Sequence, residues 1–159
     1  MAKKNDKTNV MRILDSKKIE YKEYTYECEN ALGGMEVAES LNQNPDQVFK
    51  TLVTVGASRA NYVFVVPVNR ELNLKKAAKA VNEKNIAMIK SKDLLGLTGY
   101  VHGGCSPIGM KKQFVTVFHE SAEAFDTVIF SGGKIGYQVE VRLKDIEEII
   151  SYKIYDITD

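Results

Sequence analysis

Cysteine is nearly absent from this chain of 159 residues: only Cys28 and Cys105 occur, in unlike surroundings. With two histidines and neither a CxxC nor an HxxxH spacing, the chain lacks the ligand pattern of a structural zinc site. So little cysteine suits a reducing cytosol, and one disulfide between the pair stays open. Excess charge of either sign is also missing. Lys and Arg number 22 against 21 Asp and Glu, a net charge of +1, which speaks against bulk electrostatic capture of nucleic acid. Lysines do gather at Lys75-Lys76-Lys79, Lys84, Lys90-Lys92 and Lys111-Lys112, and they make a basic patch only if the fold unites them. No run approaches the roughly 20 apolar residues needed to cross a bilayer. The basic start, Met1 to Lys7, leads into no apolar stretch of signal-peptide length. A soluble, cytoplasmic protein is expected, with no metal or other cofactor. Repeats and low-complexity linkers are absent, and the length fits one domain over 1–159 with a core of its own.

What is present reads as strands with helices between them. Thr8 or Asn9 caps a first helix with Val10, Ile13 and Leu14 at helical spacing, and 21–26 follows as a strand. Gly33-Gly34 introduces a short helix through Val37, Ala38 and Leu41. Residues 49–55 and 62–68 are the clearest strands, joined as a hairpin by the polar turn 56–61. Their near-continuous apolar character predicts central strands covered on both faces. Asn73 caps a helix over 74–81 with a stripe of Leu74, Ala77, Ala78 and Val81. Further strands are predicted at 86–89, 114–118, 127–130, 137–143 and 153–157. Helical segments are predicted from Ser91 or Asp93, over 121–125 and over 145–150. The mixed order gives an α+β domain around a mixed sheet.

Two small-residue loops stand out: Gly103-Gly104-Cys105-Ser106-Pro107-Ile108-Gly109 and Ser131-Gly132-Gly133-Lys134-Ile135-Gly136. Glycine loses the most backbone entropy on folding, so such loops are best explained by tight turns or by close approach to a ligand. Their free backbone N–H groups suit phosphate, ribose or an ester carbonyl. Gly-rich hairpins that only turn the chain are the alternative. Lys50 lies in an otherwise apolar strand, where it must either reach an edge or line a cavity. Ser106 is not in a Gly-x-Ser-x-Gly elbow. Cys105 with His102 or His119 is a possible nucleophile–base pair, weighed against a cysteine that simply packs. Tyr26 and Tyr100 offer phenolic hydroxyls. Gln138 and Glu140 share one strand face, Gln138 suited to a polar ligand and Glu140 to a lysine partner.

Taken in order, Phe49-Lys50-Thr51-Leu52 and the two glycine loops resemble the YbaK/EbsC family, Cys-tRNA(Pro) deacylase branch, from Tyr26 and Asn44-Pro45-Asp46-Gln47-Val48 through the last helix. Its members are relatives of the editing insertion domain of bacterial prolyl-tRNA synthetase. The resemblance implies a central mixed, strongly curved β-sheet surrounded by short helices. It implies a trans-editing enzyme that removes cysteine misattached to proline tRNA, with prolyl-tRNA synthetase as a partner. Alanyl- or seryl-tRNA as substrate, or a noncatalytic module binding a tRNA 3′ end, are the alternatives. Lys50 matches the family's essential lysine. Tyr26, Gly103, Gly104, Ser106, Pro107, Gly109, Ser131, Gly132, Gly133 and Gln138 are implied as substrate-binding. Gln138 stands where the family often has aspartate and Cys105 where it is more often aliphatic, two departures that bear on specificity.

Overall fold

β-Branched and aromatic side chains dominate the middle of the chain, and they build its central ladder. In the computed structural model, which describes residues 7–27 and 33–159, the elements run α1 (Asn9–Ser16), β1 (Lys22–Thr25), α2 (Gly34–Ser40), β2 (Phe49–Gly56), β3 (Asn61–Pro67), α3 (Leu74–Ala80) and β4 (Ile86–Met88). There follow α4 (Ser91–Thr98), β5 (Val115–His119), β6 (Val128–Ser131), β7 (Tyr137–Val141) and β8 (Lys153–Tyr155). Cys28 and the amino-terminal 1–6 lie outside the described residues. The segments expected as helices at 121–125 and 145–150 are tighter 3-10 turns, at Glu120–Ala124 and Leu143–Glu148. Among the described residues no helix is long and apolar enough to cross a membrane.

The strands divide between two sheets, where the sequence suggested one. Strands β1, β7 and β6 form an antiparallel three-stranded sheet, and the larger sheet has the mixed order β4-β2-β3-β5-β8. A parallel bridge between Val48 and Ile129 stitches the two together just before β2. The β2–β3 hairpin pairs from Phe49↔Pro67 to Val55↔Asn61, and β3 then pairs in parallel with β5.

Alternation along these strands feeds two cores. Val63 and Val65 join Phe49, Val53, Phe118, Phe130 and the α1 residues Val10, Met11 and Leu14 in the main one. Phe64 and Val66 turn the other way, onto Ala77 and Ala78 of α3 and Ile157. Thus β3 is covered on both faces, as its unbroken apolar run predicted. Helix α1 is capped by Thr8, whose Oγ1 accepts from the Met11 amide at 3.2 Å; Asn73 caps α3 in the same way through Lys76 at 2.9 Å. The predicted α3 stripe is shortened, because Leu74 at its start remains 43% exposed.

The ladder leaves one gap. Val68 donates its amide to the Val48 carbonyl at 2.8 Å, which sets the parity of the hairpin. The backbone groups of Lys50 and Leu52 therefore face β3, and those of Phe49, Thr51 and Val53 face the opposite edge. On that edge β4 pairs only with Thr54–Gly56, and Ile89 reaches the Val53 carbonyl at 3.3 Å. No named strand covers the edge of β2 at Lys50–Leu52 among the described residues.

Candidate functional site

A cleft of about 370 Å³ opens along this uncovered edge. Lys50, Thr51, Leu52 and Val53 of β2 line it together with Gly33, Gly34, Val68, Gly103, Cys105, Ser131, Gln138, Tyr26 and Tyr137. The Lys50 side chain is 29% exposed. Its ammonium lies 3.7 Å from the Glu71 carboxylate, whose own side chain is 83% exposed. A solvated pair at that separation restrains the lysine little, so its Nζ keeps the reach to meet an incoming anion or oxygen. A larger, shallower hollow of about 670 Å³ lies beside α1 and β1, lined by Lys7, Asp15, Glu20 and Arg142; of the residues singled out from the sequence it holds Glu140.

Of the residues implied as catalytic or substrate-binding, Lys50, Tyr26, Gly103, Ser131 and Gln138 line the cleft, as do Cys105 and His102. The remaining glycine-loop residues do not, and packing explains why. Gly104 is buried where the loops meet: a Cβ there would sit 3.1 Å from the Ile135 nitrogen and 3.3 Å from Lys134 backbone. Gly132 is pressed against Tyr137, a hypothetical Cβ lying 3.3 Å from that residue's own Cβ. Gly133 (φ +96°) has room for no side chain, since Val10 of α1 would lie 2.8 Å away; Gly109 (φ +83°) is equally closed by the Tyr100 hydroxyl at 2.7 Å. Ser106 is fully buried and accepts from the Ile108 amide at 3.3 Å, with Pro107 buried beside it. The loops are thus one rigid, backbone-to-backbone unit, and only Gly103, Cys105 and Ser131 look into the cleft from it. A lysine after the first loop and one inside the second lie over aromatic rings, the latter over the cleft residue Tyr137. Lys112 lies over the Phe114 ring and Lys134 over the Tyr137 ring, at 6.0 and 5.8 Å from the centroids.

Several candidate chemistries are settled by their surroundings. Burial pushes the Cys105 thiol up to about 12, so it stays protonated at neutral pH and is a poor nucleophile. His102 lines the cleft, whereas His119 sits at the end of β5, 3% exposed, with Ser121, Asp156 and Thr158 around its ring. Burial, with the Arg70 charge, holds His119 below its ordinary value of 6.5 against the opposing pull of Asp156. His119, Glu120 and Asp156 stand close enough to hold a metal ion, but Lys76 pairs with Asp156 at 2.9 Å and both His119 nitrogens are engaged. The Tyr100 hydroxyl donates to the Ile108 carbonyl and clasps the first loop. Glu140, expected beside a lysine, instead accepts from Tyr24 and Thr127 hydroxyls across its sheet. The Ser131 hydroxyl accepts from the Gly133 amide at 3.0 Å and steadies the second loop.

Sequence reading missed the second tier of the site. Gln43, just after α2, donates its Nε2 to the Gln138 Oε1 at 2.7 Å. The Thr51 hydroxyl and the Gln43 Oε1 are buried with no hydrogen-bond partner among the described residues. An orphaned buried oxygen is uncommon in a native protein. Nothing local marks Gln43, and Thr51 enters only as a neighbour of Lys50; their part in the site becomes visible only when Gln138 and the β2 edge are in place.

Residues 29–149 match the family described as the aminoacyl-tRNA editing domain. The chain is 46% identical, over 99% of its own length and 98% of the relative's, to a protein of Enterococcus faecalis named as a candidate Cys-tRNA(Pro)/Cys-tRNA(Cys) deacylase, EbsC. The fold is that of a crystallised candidate trans-editing enzyme for prolyl-tRNA synthetase (20% identity, TM-score 0.79, covering 94% of this chain and 96% of that one). A crystallised hypothetical protein shares it too, with 18% identity, a TM-score of 0.86 and coverage of 96% and 100%. Carrying the cleft, the paired glycine loops and the full-length likeness, the chain belongs to the aminoacyl-tRNA editing domain family.

Proposed function

We propose that this protein is a trans-editing deacylase that clears cysteine from mischarged Cys-tRNA(Pro), and from Cys-tRNA(Cys), by cleaving the aminoacyl ester. The observation that carries the reading is the convergence of Lys50, Tyr26, Gly103, Ser131 and Gln138 on one cleft in a chain of the editing family. The relative's name supplies the amino acid and the tRNA. Such an enzyme answers a physical need. One methylene more or less is worth only about 1–3 kcal/mol to a binding pocket, so small amino acids slip past a synthetase and need a second sieve.

The side chains define the mechanism by what they lack. Among the described residues the cleft holds no activated nucleophile: its thiol is held protonated, and neither of its serines, Ser91 and Ser131, has a histidine or carboxylate hydrogen-bonded to its hydroxyl. In our reading the attacking group is the substrate's own thiol. Its sulfur bonds to the ester carbonyl carbon, the carbon–oxygen bond to the ribose breaks, and the thiol proton ends on the released 3′ oxygen. The product is a cysteine thiolactone, which water opens afterwards. Lys50 stands as the catalytic residue, its ammonium meeting the oxyanion that develops on the carbonyl or the phosphate beside the terminal adenosine. The Gly103 and Ser131 loop ends hold the ribose and acyl group, and Tyr26 walls the pocket.

A net charge of +1 limits the phosphates the protein can neutralise, so autonomous affinity for tRNA is weak and falls with salt. Selection of the tRNA is then assigned to a partner, prolyl-tRNA synthetase, in the cytoplasm. The test is a panel of cysteinyl-, seryl-, alanyl- and prolyl-tRNA offered to wild type and Lys50→Ala. Wild type should release cysteine alone, and serine, isosteric but without the thiol, should stay attached. Equal rates for the two proteins on every substrate would overturn the assignment; rapid release of serine would replace the thiol route with hydrolysis by water.

A further inference from the structure

We infer that Gln43 is a positioning residue that fixes the polarity of the Gln138 amide, so that the cleft presents an N–H donor to a substrate oxygen. This deepens the deacylase reading and rests on it. Gln138 occupies the middle of its sheet, registered between Tyr24 of β1 and Ser131 of β6, and only 4% of it is exposed. A primary amide so confined has two faces, one accepting and one donating, and the surroundings choose which faces the ligand. Gln43 makes that choice. Its Nε2 donates to Gln138 Oε1 at 2.7 Å, occupying the acceptor from the side of α2. The Gln138 Nε2 makes no hydrogen bond to the described residues, and Gln138 lines the cleft.

Two consequences follow for recognition. A neutral donor suits the ester carbonyl or a ribose hydroxyl oxygen, and it offers nothing to the α-ammonium of the aminoacyl group. A carboxylate in the same place would do the reverse, attracting the ammonium and repelling the developing oxyanion. The Gln43 Oε1, buried with no partner among the described residues, is the local cost of holding this orientation.

The experiment uses the whole chain, with a stable amide-linked analogue, 3′-cysteinylamido-3′-deoxyadenosine, as the probe. Binding of the analogue should shift the Gln138 side-chain NH2 resonance together with cleft backbone amides in wild type. In Gln43→Glu the carboxylate accepts only, so it draws the Gln138 NH2 away from the cleft and the side-chain shift should vanish. Turnover of Cys-tRNA should then fall about tenfold in kcat, the equivalent of one neutral hydrogen bond, with KM little changed. Gln43→Met leaves the amide free to rotate and should cost less than the isosteric Gln43→Glu, an order that a purely structural role would not produce. The Gln43→Glu deficit should shrink as pH falls, because a protonated carboxyl again donates to Oε1. Cleft amides that shift while the Gln138 NH2 stays still, or a Gln43→Glu enzyme equal to wild type, would overturn this inference and leave the deacylase reading intact. An analogue that moves no cleft amide at all would remove both.

Discussion

Gly103 and Gly109 share one loop and nearly the same backbone, at φ +90° and +83°, yet they serve different ends. Gly103 faces the cleft. Gly109 faces the core, its α-carbon shut in by the Tyr100 hydroxyl and Ile13 of α1. The second loop repeats the division, with Ser131 at the cleft and Gly133 closed in by Val10 and Tyr100. One half of each loop lines the cleft while the other half is packed against α1 and Tyr100. The glycine signature is therefore a composite, part cleft lining and part packed foundation.

Mutations that strike only one half should pull activity and stability apart. The largest effect belongs to the cleft wall: Lys50→Ala should lower Cys-tRNA deacylation roughly a hundredfold or more, the scale of losing one charged transition-state partner. Its melting temperature should match wild type, since the half-exposed side chain has only a solvated partner. In the anchored half the outcome reverses. Gly133→Ala forces a Cβ into a positive-φ residue against Val10, and should cost about 1–3 kcal/mol in urea unfolding. Gly103→Ala should lose less stability than Gly133→Ala and proportionately more activity, read by running both assays on both variants.

A smaller effect is expected at Cys105. If the thiol is a wall residue, Cys105→Ser should keep turnover within about threefold, a loss below that of one neutral hydrogen bond. Reaction of the wild-type thiol with iodoacetamide should be slow at pH 7, because burial keeps it protonated. Abolished turnover in Cys105→Ser would break the contrast by making this loop a source of the nucleophile. The mildest effect lies outside both loops. His119 is held below its ordinary value in the folded state, so the unfolded chain binds its proton more readily. Stability should fall as pH drops below 6.5, and His119→Gln should flatten that dependence in thermal melts between pH 7 and pH 5.

Much of this was legible from residue order. The hairpin of β2 and β3, the caps Thr8 and Asn73, and the glycine loops all announce themselves through short-range chemistry: branched side chains, a hydroxyl or amide before a helix, residues that tolerate positive φ. For Lys50 the residue order narrowed the choice to an edge or a cavity and left it open, and the fold places it at an open strand edge that lines the cleft. Other features were not legible. Leu74 completes a helical stripe in the sequence and stays exposed, since the second core closes over Ala77 and Ala78 instead. Glu140 met two hydroxyls from β1 and the start of β6, partners set by register and not by charge.

The sequence by itself determined which segments extend, which coil, and where the backbone turns without side chains, because those preferences act within a few residues. Only the tertiary structure decided that β4 stops short of Lys50, that the edge there stays open, and that half of each glycine loop is spent on anchoring. It also brought Gln43 to Gln138 across 95 positions of chain. Pairing of that range depends on how sheets stack and strands register, and no local preference encodes it.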